Sequence, residues 1–219
     1  MVDADEIDID DYAGQVVLYL LSQQCKNSTV KKPELIKAVL PDLGRKNIKA
    51  IFDEAKNSLK KIHGANLIEL EESTKQLMLV NAVPTDPPLN WSDEIRKQQA
   101  ILLPVLSLIF MSGGSAPEND VKTLLRKLRI INDNELSYDS EEFGDVEKIL
   151  KNVLVSQRYL NYGTTKPRNA AEKDVPISVF TWGIRSELEI SKEKILKFVS
   201  DVYGVDVTNW PDQLASLNR

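Results

Sequence analysis

Few side chains in this sequence could carry out catalytic or metal chemistry. Among its 219 residues, His63 is the single histidine and Cys25 the single cysteine, so the chain offers neither a histidine pair nor a paired-cysteine zinc site. The neighbouring carboxylates Glu141 and Glu142 point apart and cannot act together as a general acid and base. No phosphate-binding loop or nucleophile elbow occurs. The sequence therefore predicts no catalytic centre, no metal and no cofactor, in a protein that is not an enzyme.

Cationic side chains indicate instead a surface that could bind phosphate. On a predicted helix over residues 45–63, four cations follow one edge at helical spacing, beside an apolar face. Such an edge could track the phosphates of duplex DNA with little base readout; the alternative is an ordinary solvated helix face. The cations are Arg45, Lys49, Lys56 and Lys60, and the apolar face is Ile48, Ile51, Phe52, Ala55, Leu59 and Ile62.

A second basic stripe is predicted further along the chain. Lys122, Arg126 and Arg129 recur at i, i+4 and i+7 on a predicted helix over residues 118–128, whose core face consists of leucines and valine. The same two interpretations apply, phosphate contact or a solvated surface. The predicted core residues are Val121, Leu124, Leu125 and Leu128.

The run AILLPVLSLIFMSGG, residues 100–114, is apolar on every side of a helix. It is shorter than the roughly 20 apolar residues that span a bilayer, so it is either a core helix or a docking helix. Because Pro104 lacks an N–H and clashes with the preceding turn, we expect the helix to kink or restart there. That would turn Leu102 and Leu103 outward, and the alternative is that both leucines pack internally.

These surfaces lie on elements that follow the same order in the two halves of the chain. In each half three helical patterns precede two alternating, strand-like runs, which predicts tandem winged helices in a fold that is mostly α with small antiparallel β-hairpins. The predicted elements are helices 12–24, 32–40 and 45–63 with strands 66–71 and 76–81, then helices 92–111, 118–128 and 145–156 with strands 158–162 and 177–182, and a closing helix 186–203.

Charge and proline content place the domain boundaries. Six of the acidic residues precede residue 12, whereas residues 12–83 carry 11 Lys and Arg against 7 Asp and Glu. The proline-rich segment VPTDPPLNW at 83–91 is typical of a linker. We therefore predict an acidic tail (1–11), a first winged helix (12–83), a linker (84–91), a second winged helix (92–205) and a C-terminal tail (206–219). The acidic N-terminus does not resemble a signal peptide, so a cytosolic or nuclear location is expected.

Four blocks also carry a family resemblance when they are taken in order. They are the apolar run at 100–114, QRYLNY at 157–162, FTWGIR at 180–185 and SKEKILKFVSDVYG at 191–204. Together they resemble the MAGE homology domain family over residues 12–205, and most of all its non-SMC members in the repair-type SMC complex. Two departures from the family pattern are Pro104 inside the apolar helix and Ile184, where the family usually has proline.

The resemblance implies a function. It implies a non-catalytic adaptor that binds and stimulates a RING-type ubiquitin ligase, through paired leucines matching Leu102 and Leu103 together with Leu106, and that binds a kleisin subunit of an SMC complex in DNA repair and chromosome maintenance. It also implies contact with duplex DNA and a nuclear, chromatin-associated location, with the cytoplasm as a second location. Two alternatives stay open: a sequence-tolerant DNA-binding module, and a MAGE paralogue that regulates another RING ligase.

Overall fold

The computed structural model describes residues 8–24, 28–41, 43–70, 75–82, 92–132, 138–165 and 176–217. The chain divides into two compact units, Met1–Asp86 and Pro87–Arg219. The predicted linker, Cys25 and the first seven residues of the predicted acidic tail lie outside the described residues.

The first unit contains three helices and a three-stranded antiparallel sheet. Its core is built where α1, α3 and one face of the sheet bury aliphatic side chains at helical and alternating spacing. The sheet order is β1-β3-β2, and β1 is too short to have been predicted from periodicity. The helices are α1 (Ile9–Gln24), α2 (Lys32–Val39) and α3 (Arg45–Ile62), and the strands are β1 (Val30–Lys31), β2 (Ala65–Glu69) and β3 (Gln76–Asn81).

The second unit repeats this plan with additions. Its sheet has the order β4-β8-β7, and the apolar helix α4 supplies much of its core. The elements are α4 (Asp93–Met111), β4 (Ser115–Pro117), α5 (Glu118–Lys127), β5 (Asp139–Ser140), β6 (Gly144–Asp145), α6 (Val146–Lys148), a π-helical turn (Ile149–Val153), α7 (Leu154–Ser156), β7 (Leu160–Thr165), β8 (Ile177–Trp182), α8 (Ile184–Glu189), α9 (Lys192–Tyr203), a 3₁₀ turn (Val207–Asn209) and α10 (Pro211–Leu217). The predicted fold class, mostly α with small antiparallel sheets, is confirmed.

Pro104 does not interrupt α4, which runs without a break from Asp93 to Met111, so the predicted restart of the helix does not occur. Proline removes one helical hydrogen bond, and the carbonyl left without its donor belongs to Ala100, an exposed residue that water can reach. Ser107 donates a hydrogen bond from Oγ to the Leu103 carbonyl at 2.8 Å. Burial of α4 side chains on both sides of Pro104 therefore keeps the helix continuous.

The C-terminal part of the chain also differs from the prediction. The predicted closing helix is two helices, because Ser191 caps α9 by accepting a hydrogen bond from the Lys194 amide at 3.2 Å. The predicted tail instead forms a 3₁₀ turn and α10, and this segment packs on the core through Trp210, directly before α10, and Leu214 within it. Gln213 Nε2 donates to the Met111 carbonyl at 3.0 Å. The segment after α9 is therefore part of the second unit.

Two segments of the second unit meet backbone to backbone, and we call this contact of residues 157–159 with residues 183–186 the motif joint. The Gly183 amide donates to the Tyr159 carbonyl at 2.8 Å, and the Arg185 amide donates to the Arg158 carbonyl at 2.9 Å. A Cβ atom on Gly183 would lie 2.2 Å from the Arg158 carbonyl oxygen. Only glycine therefore fits at this position without a shift of the backbone.

The Arg185 guanidinium completes the motif joint. It is 2% exposed, and its Nε donates to the Gln157 carbonyl at 2.8 Å. Its Nη1 pairs with Glu189 at 3.0 Å, whose second carboxylate oxygen accepts from the Tyr159 hydroxyl at 2.9 Å. Burial raises the pKa of Tyr159, and the Glu189 carboxylate raises it further, so this hydroxyl stays protonated as a donor.

The Glu118 carboxylate is the centre of a polar cluster, the Glu118 cluster, that links α5, the π-helical turn and β7. Glu118 pairs with Lys151 at 2.8 Å and accepts from the hydroxyls of Tyr162 at 2.6 Å and Tyr138 at 3.1 Å. Burial acts to raise the pKa of Glu118, but the hydrogen bonds from Lys151 and the tyrosines and the Lys151 charge together lower it below its usual 4.5. The charged form of Glu118 is therefore favoured in the folded state.

Replacing Gly183 should destabilise the second unit. We expect Gly183→Ala to lower the free energy of unfolding by roughly 2 kcal/mol or more, because the new Cβ overlaps backbone atoms that cannot move independently. Urea denaturation measures the change. Gly163→Ala on β7 is the matched control, since a Cβ atom there would meet nothing within 4 Å beyond its own chain neighbours, and it should change stability by about 0.5 kcal/mol at most. Equal stability of the two variants would contradict the close contact.

The Glu118 cluster should make stability depend on pH. Because the folded pKa of Glu118 is lowered, its contribution is complete above the unfolded-state pKa and is lost as the pH falls through the folded-state value. Glu118→Gln should therefore cost about 1 kcal/mol at neutral pH, with the difference from the wild type shrinking as the pH falls through the lowered pKa of Glu118. Glu141→Gln, at an exposed glutamate, is the control. A pH-independent difference measured by urea unfolding would refute this role.

Candidate functional site

The predicted docking residues on α4 do not share one face. Leu103 is 39% exposed, whereas Leu102 is 1% exposed and Leu106 is fully buried. The buried stripe of α4 includes Ile101, Leu102 and Val105, and Leu103 lies about 100° around the helix from Leu102. The prediction that both paired leucines turn outward is therefore wrong for Leu102, and Leu106 also belongs to the core. Leu103 alone is accessible to a partner.

Leu103 belongs to an exposed face of α4. Arg96 and Ala100 are also exposed, at seven and three residues before it, so the three residues lie on one side of the helix. Pro104 beside them is half-buried. The surface is therefore a small apolar patch, Ala100 with Leu103, that begins beside the cation of Arg96. A flat apolar patch of this kind can serve as an anchor for a protein partner.

The first predicted basic stripe is on the surface and borders a cavity. Arg45, Lys49 and Lys56 are exposed and line a surface cavity of about 410 Å³ together with Phe52. Lys60 is exposed too, but it does not line this cavity. Ile62, predicted in the core, is 74% exposed because it is the last residue of α3 and lies beyond the turn that packs inward.

We call this cavity the α3 cavity. Lys32 lines it as a further cation. Lys32 at the start of α2 lies with its Nζ 5.0 Å from the centre of the Phe52 ring and 2.9 Å from Glu69 Oε1. The cation is therefore held between an aromatic face and a carboxylate. Sequence analysis missed Lys32, because the contact depends on the packing of α2 against α3 and the sheet.

The second predicted stripe is not a continuous row of free cations. Lys122 is half-buried with its Nζ 4.6 Å from the centre of the Tyr138 ring, and Arg126 is half-buried as well. Arg129 lies beyond the end of α5 and has a φ of 57°, so it leaves the helical spacing. Leu128, predicted in the core, is exposed because it caps the helix. The predicted helical row is therefore wrong for Arg129, while Lys122 and Arg126 lie on α5 as predicted.

The described residues contain no cluster of metal-ligating side chains. Within the seven described segments, no three His, Cys, Asp or Glu residues lie close enough to hold a metal ion. Glu118 has a lowered pKa and is ion-paired, which makes it a weak general base. In the same segments, no helix is both long and apolar enough to cross a membrane. What the arrangement offers is binding surfaces: the exposed face of α4 and the α3 cavity.

The chain is similar to a known protein family. Residues 16–193 match the MAGE homology domain. The human protein named non-structural maintenance of chromosomes element 3 homolog is 31% identical over 208 residues, which cover 91% of this chain and 63% of that protein. Human melanoma-associated antigen D2 is 30% identical over 202 residues, which cover 92% of this chain and 32% of that protein.

A solved structure is similar over nearly the whole chain. It is a chain described as part of the Nse1-Nse3-Nse4 complex, with a TM-score of 0.80 and 29% sequence identity, covering 98% of this chain and 100% of that chain. The chain spans just under two thirds of the length of the human element 3 homolog. The family match includes both segments of the motif joint and all of α4, and on this evidence the chain belongs to the MAGE homology domain family.

Proposed function

We propose that this chain is a non-catalytic adaptor subunit of an SMC-associated complex, which binds a RING-type ubiquitin ligase subunit and a kleisin subunit and stimulates the ligase. The observation that carries the proposal is the likeness, over 98% of the chain, to a chain solved within the Nse1-Nse3-Nse4 complex. The adaptor acts on chromatin in the nucleus. Ligase chemistry then belongs to the partner, and this chain supplies the surfaces.

The RING-type partner binds the exposed face of α4. Leu103 is the one member of the predicted leucine set that a partner can reach without unfolding the core, and it is followed by Pro104, which stiffens the backbone locally. An exposed leucine on a rigid helix loses little entropy on binding. Leu102 and Leu106 contribute indirectly, because their burial in the core holds α4 so that Leu103 keeps its orientation.

Leu103→Asp should release the RING-type partner and leave the fold intact. Because a central apolar anchor contributes about 2 kcal/mol or more, we expect at least about thirtyfold weaker binding in calorimetry with the separately purified RING subunit. Leu18→Asp on α1 is the control, since Leu18 is a mid-helix leucine that is also exposed. Leu102→Asp should unfold the second unit, because it buries a carboxylate without a partner. Unchanged binding by Leu103→Asp with a native melting temperature would remove Leu103 from the interface.

Affinity purification from nuclear extract separates the SMC-complex subunit from a paralogue. Recovery of a RING protein together with a kleisin and SMC subunits supports the proposal. Recovery of a different RING ligase without SMC subunits would instead support a MAGE paralogue that regulates another ligase. The similarity to melanoma-associated antigen D2 is the reason to keep this second arm in the experiment.

Binding of duplex DNA is a second function that a specific observation favours. Three cations of α3, Arg45, Lys49 and Lys56, border one cavity in the first unit. In a winged helix, the third helix is the usual recognition element. The cations can neutralise phosphates, and the side chains around them offer no pattern for base readout, so the binding would tolerate many sequences.

Charge reversal of α3 tests DNA binding. We expect Lys49→Glu with Lys56→Glu to weaken duplex affinity and to reduce the slope of log affinity against log salt by about 2, because two phosphate contacts are lost. Fluorescence anisotropy over a salt series measures both quantities. Lys194→Glu with Lys197→Glu on α9 is the matched control, with the same change in net charge at exposed positions. An unchanged salt slope for the α3 variant would mean that these lysines are only solvated.

A further inference from the structure

A second groove in the first unit lies between α2 and the end of the β2–β3 hairpin. Its cavity of about 800 Å³ is lined by three lysines, Lys32, Lys37 and Lys75, one carboxylate, Glu69, and an aliphatic floor. Lys32 and Glu69 line both this groove and the α3 cavity. The groove, which we call the α2–hairpin groove, is therefore the neighbour of the α3 cavity on the other side of this ion pair.

The rim of the α2–hairpin groove is cationic. Glu69 is already paired with Lys32 at 2.9 Å, so it does not neutralise the other two lysines. Lys37 and Lys75 are exposed, and within the described segments neither forms a salt bridge. Two ammonium groups are thus available at the rim for carboxylates of a ligand, where a contact with a charged group is stronger than one between neutral groups.

The floor of the groove is aliphatic and not aromatic. It is formed by Pro33, Ile36 and Pro41. Ile36 also packs against the core of the first unit, while both prolines are exposed. Burial of an aliphatic ligand side chain on this floor gains about 25 cal/mol per Å² of apolar surface removed from water. A floor of this composition offers no ring on which a nucleic-acid base could stack.

The walls of the groove are held in place before any ligand arrives. The Lys32 amide donates to the Lys75 carbonyl at 2.8 Å, and β1 pairs with β3 directly beside it, with Lys31 opposite Gln76. Pro33 stands at the first turn of α2, where its fixed φ is compatible with the helix. A preformed groove loses little entropy when it binds a ligand.

We propose that the α2–hairpin groove binds an acidic segment of a partner protein, which places an aliphatic side chain on the Pro33–Ile36–Pro41 floor and carboxylates against Lys37 and Lys75. Charge complementarity selects the acidic segment, and the floor selects the aliphatic residue within it. The lining residues of the groove belong to the first unit and Leu103 to the second, and this inference uses no observation on the RING interface. Duplex DNA would use the cations, but the phosphates that would meet them carry no aliphatic side chain for the floor.

The test uses the full chain and a fluorescein-labelled peptide in which glutamates flank a leucine, with binding measured by anisotropy. We expect Lys37→Glu with Lys75→Glu to weaken peptide binding by about tenfold or more. Lys46→Glu with Lys61→Glu on α3 should change it less than about twofold, because both lysines are exposed and neither lines the groove. Melting temperatures verify that all variants are folded, and co-purification of the RING subunit should be retained.

Two matched peptides separate the parts of the proposal. A peptide with serine in place of leucine should bind several-fold more weakly if the aliphatic floor is used, and a peptide with glutamine in place of glutamate should lose binding. Absence of binding by the acidic peptide, or equal binding by the two charge-reversed proteins, would overturn the proposal. So would loss of duplex binding on reversal of Lys37 and Lys75 with no effect of the leucine-to-serine change, because the groove would then be a phosphate-binding surface.

Discussion

A buried guanidinium needs a counter-charge and acceptors for its N–H groups. The second unit contains such a group in Arg185, which is 2% exposed. Its donors reach the Gln157 carbonyl and Glu189, and its planar group lies 5.5 Å from the centre of the Tyr159 ring. Removing Glu189 would leave the guanidinium charge without its ion-pair partner in a low-dielectric interior. The arrangement therefore requires residues 157–159 and α8 to meet in one geometry, and Gly183 permits the close approach.

Gln157 of the motif joint and Trp182 directly before Gly183 also contact α4. Gln157 Nε2 donates to Gln98 Oε1 at 3.1 Å near the start of α4, and Trp182 Nε1 donates to the Leu106 carbonyl at 3.0 Å further along it. These two contacts fix the rotation of α4 about its axis on both sides of Leu103. Together with the apolar side chains that α4 buries, these contacts hold Leu103 on the exposed face of the helix. The two sequence blocks that contain Gln157 and Trp182 thus both contact α4.

The sequence was informative where a pattern had a clear period. The helical spacing of apolar residues predicted α3, and the alternating runs predicted β3 and β8. The sequence pattern did not reveal elements shorter than one period, such as β1 and β4. It also did not separate α8 from α9, where Ser191 caps the second helix within a continuous helical pattern. That cap had a visible signal, a serine ahead of a helical pattern. The run 100–114 has no polar face, so its period could not separate Leu102 from Leu103.

By itself the sequence determined the family resemblance, the mostly helical fold class with two repeated halves, the lack of any pattern for a catalytic centre and the cations of α3. Only the tertiary structure decided which of these residues reach a surface. Side-chain exposure depends on what packs against each helix, and that is set by long-range contacts such as Arg185 with Gln157 and Trp182 with Leu106. The same reason explains the α2–hairpin groove, where Lys75 lies near Lys32 and Lys37 of α2 because β1 pairs with β3.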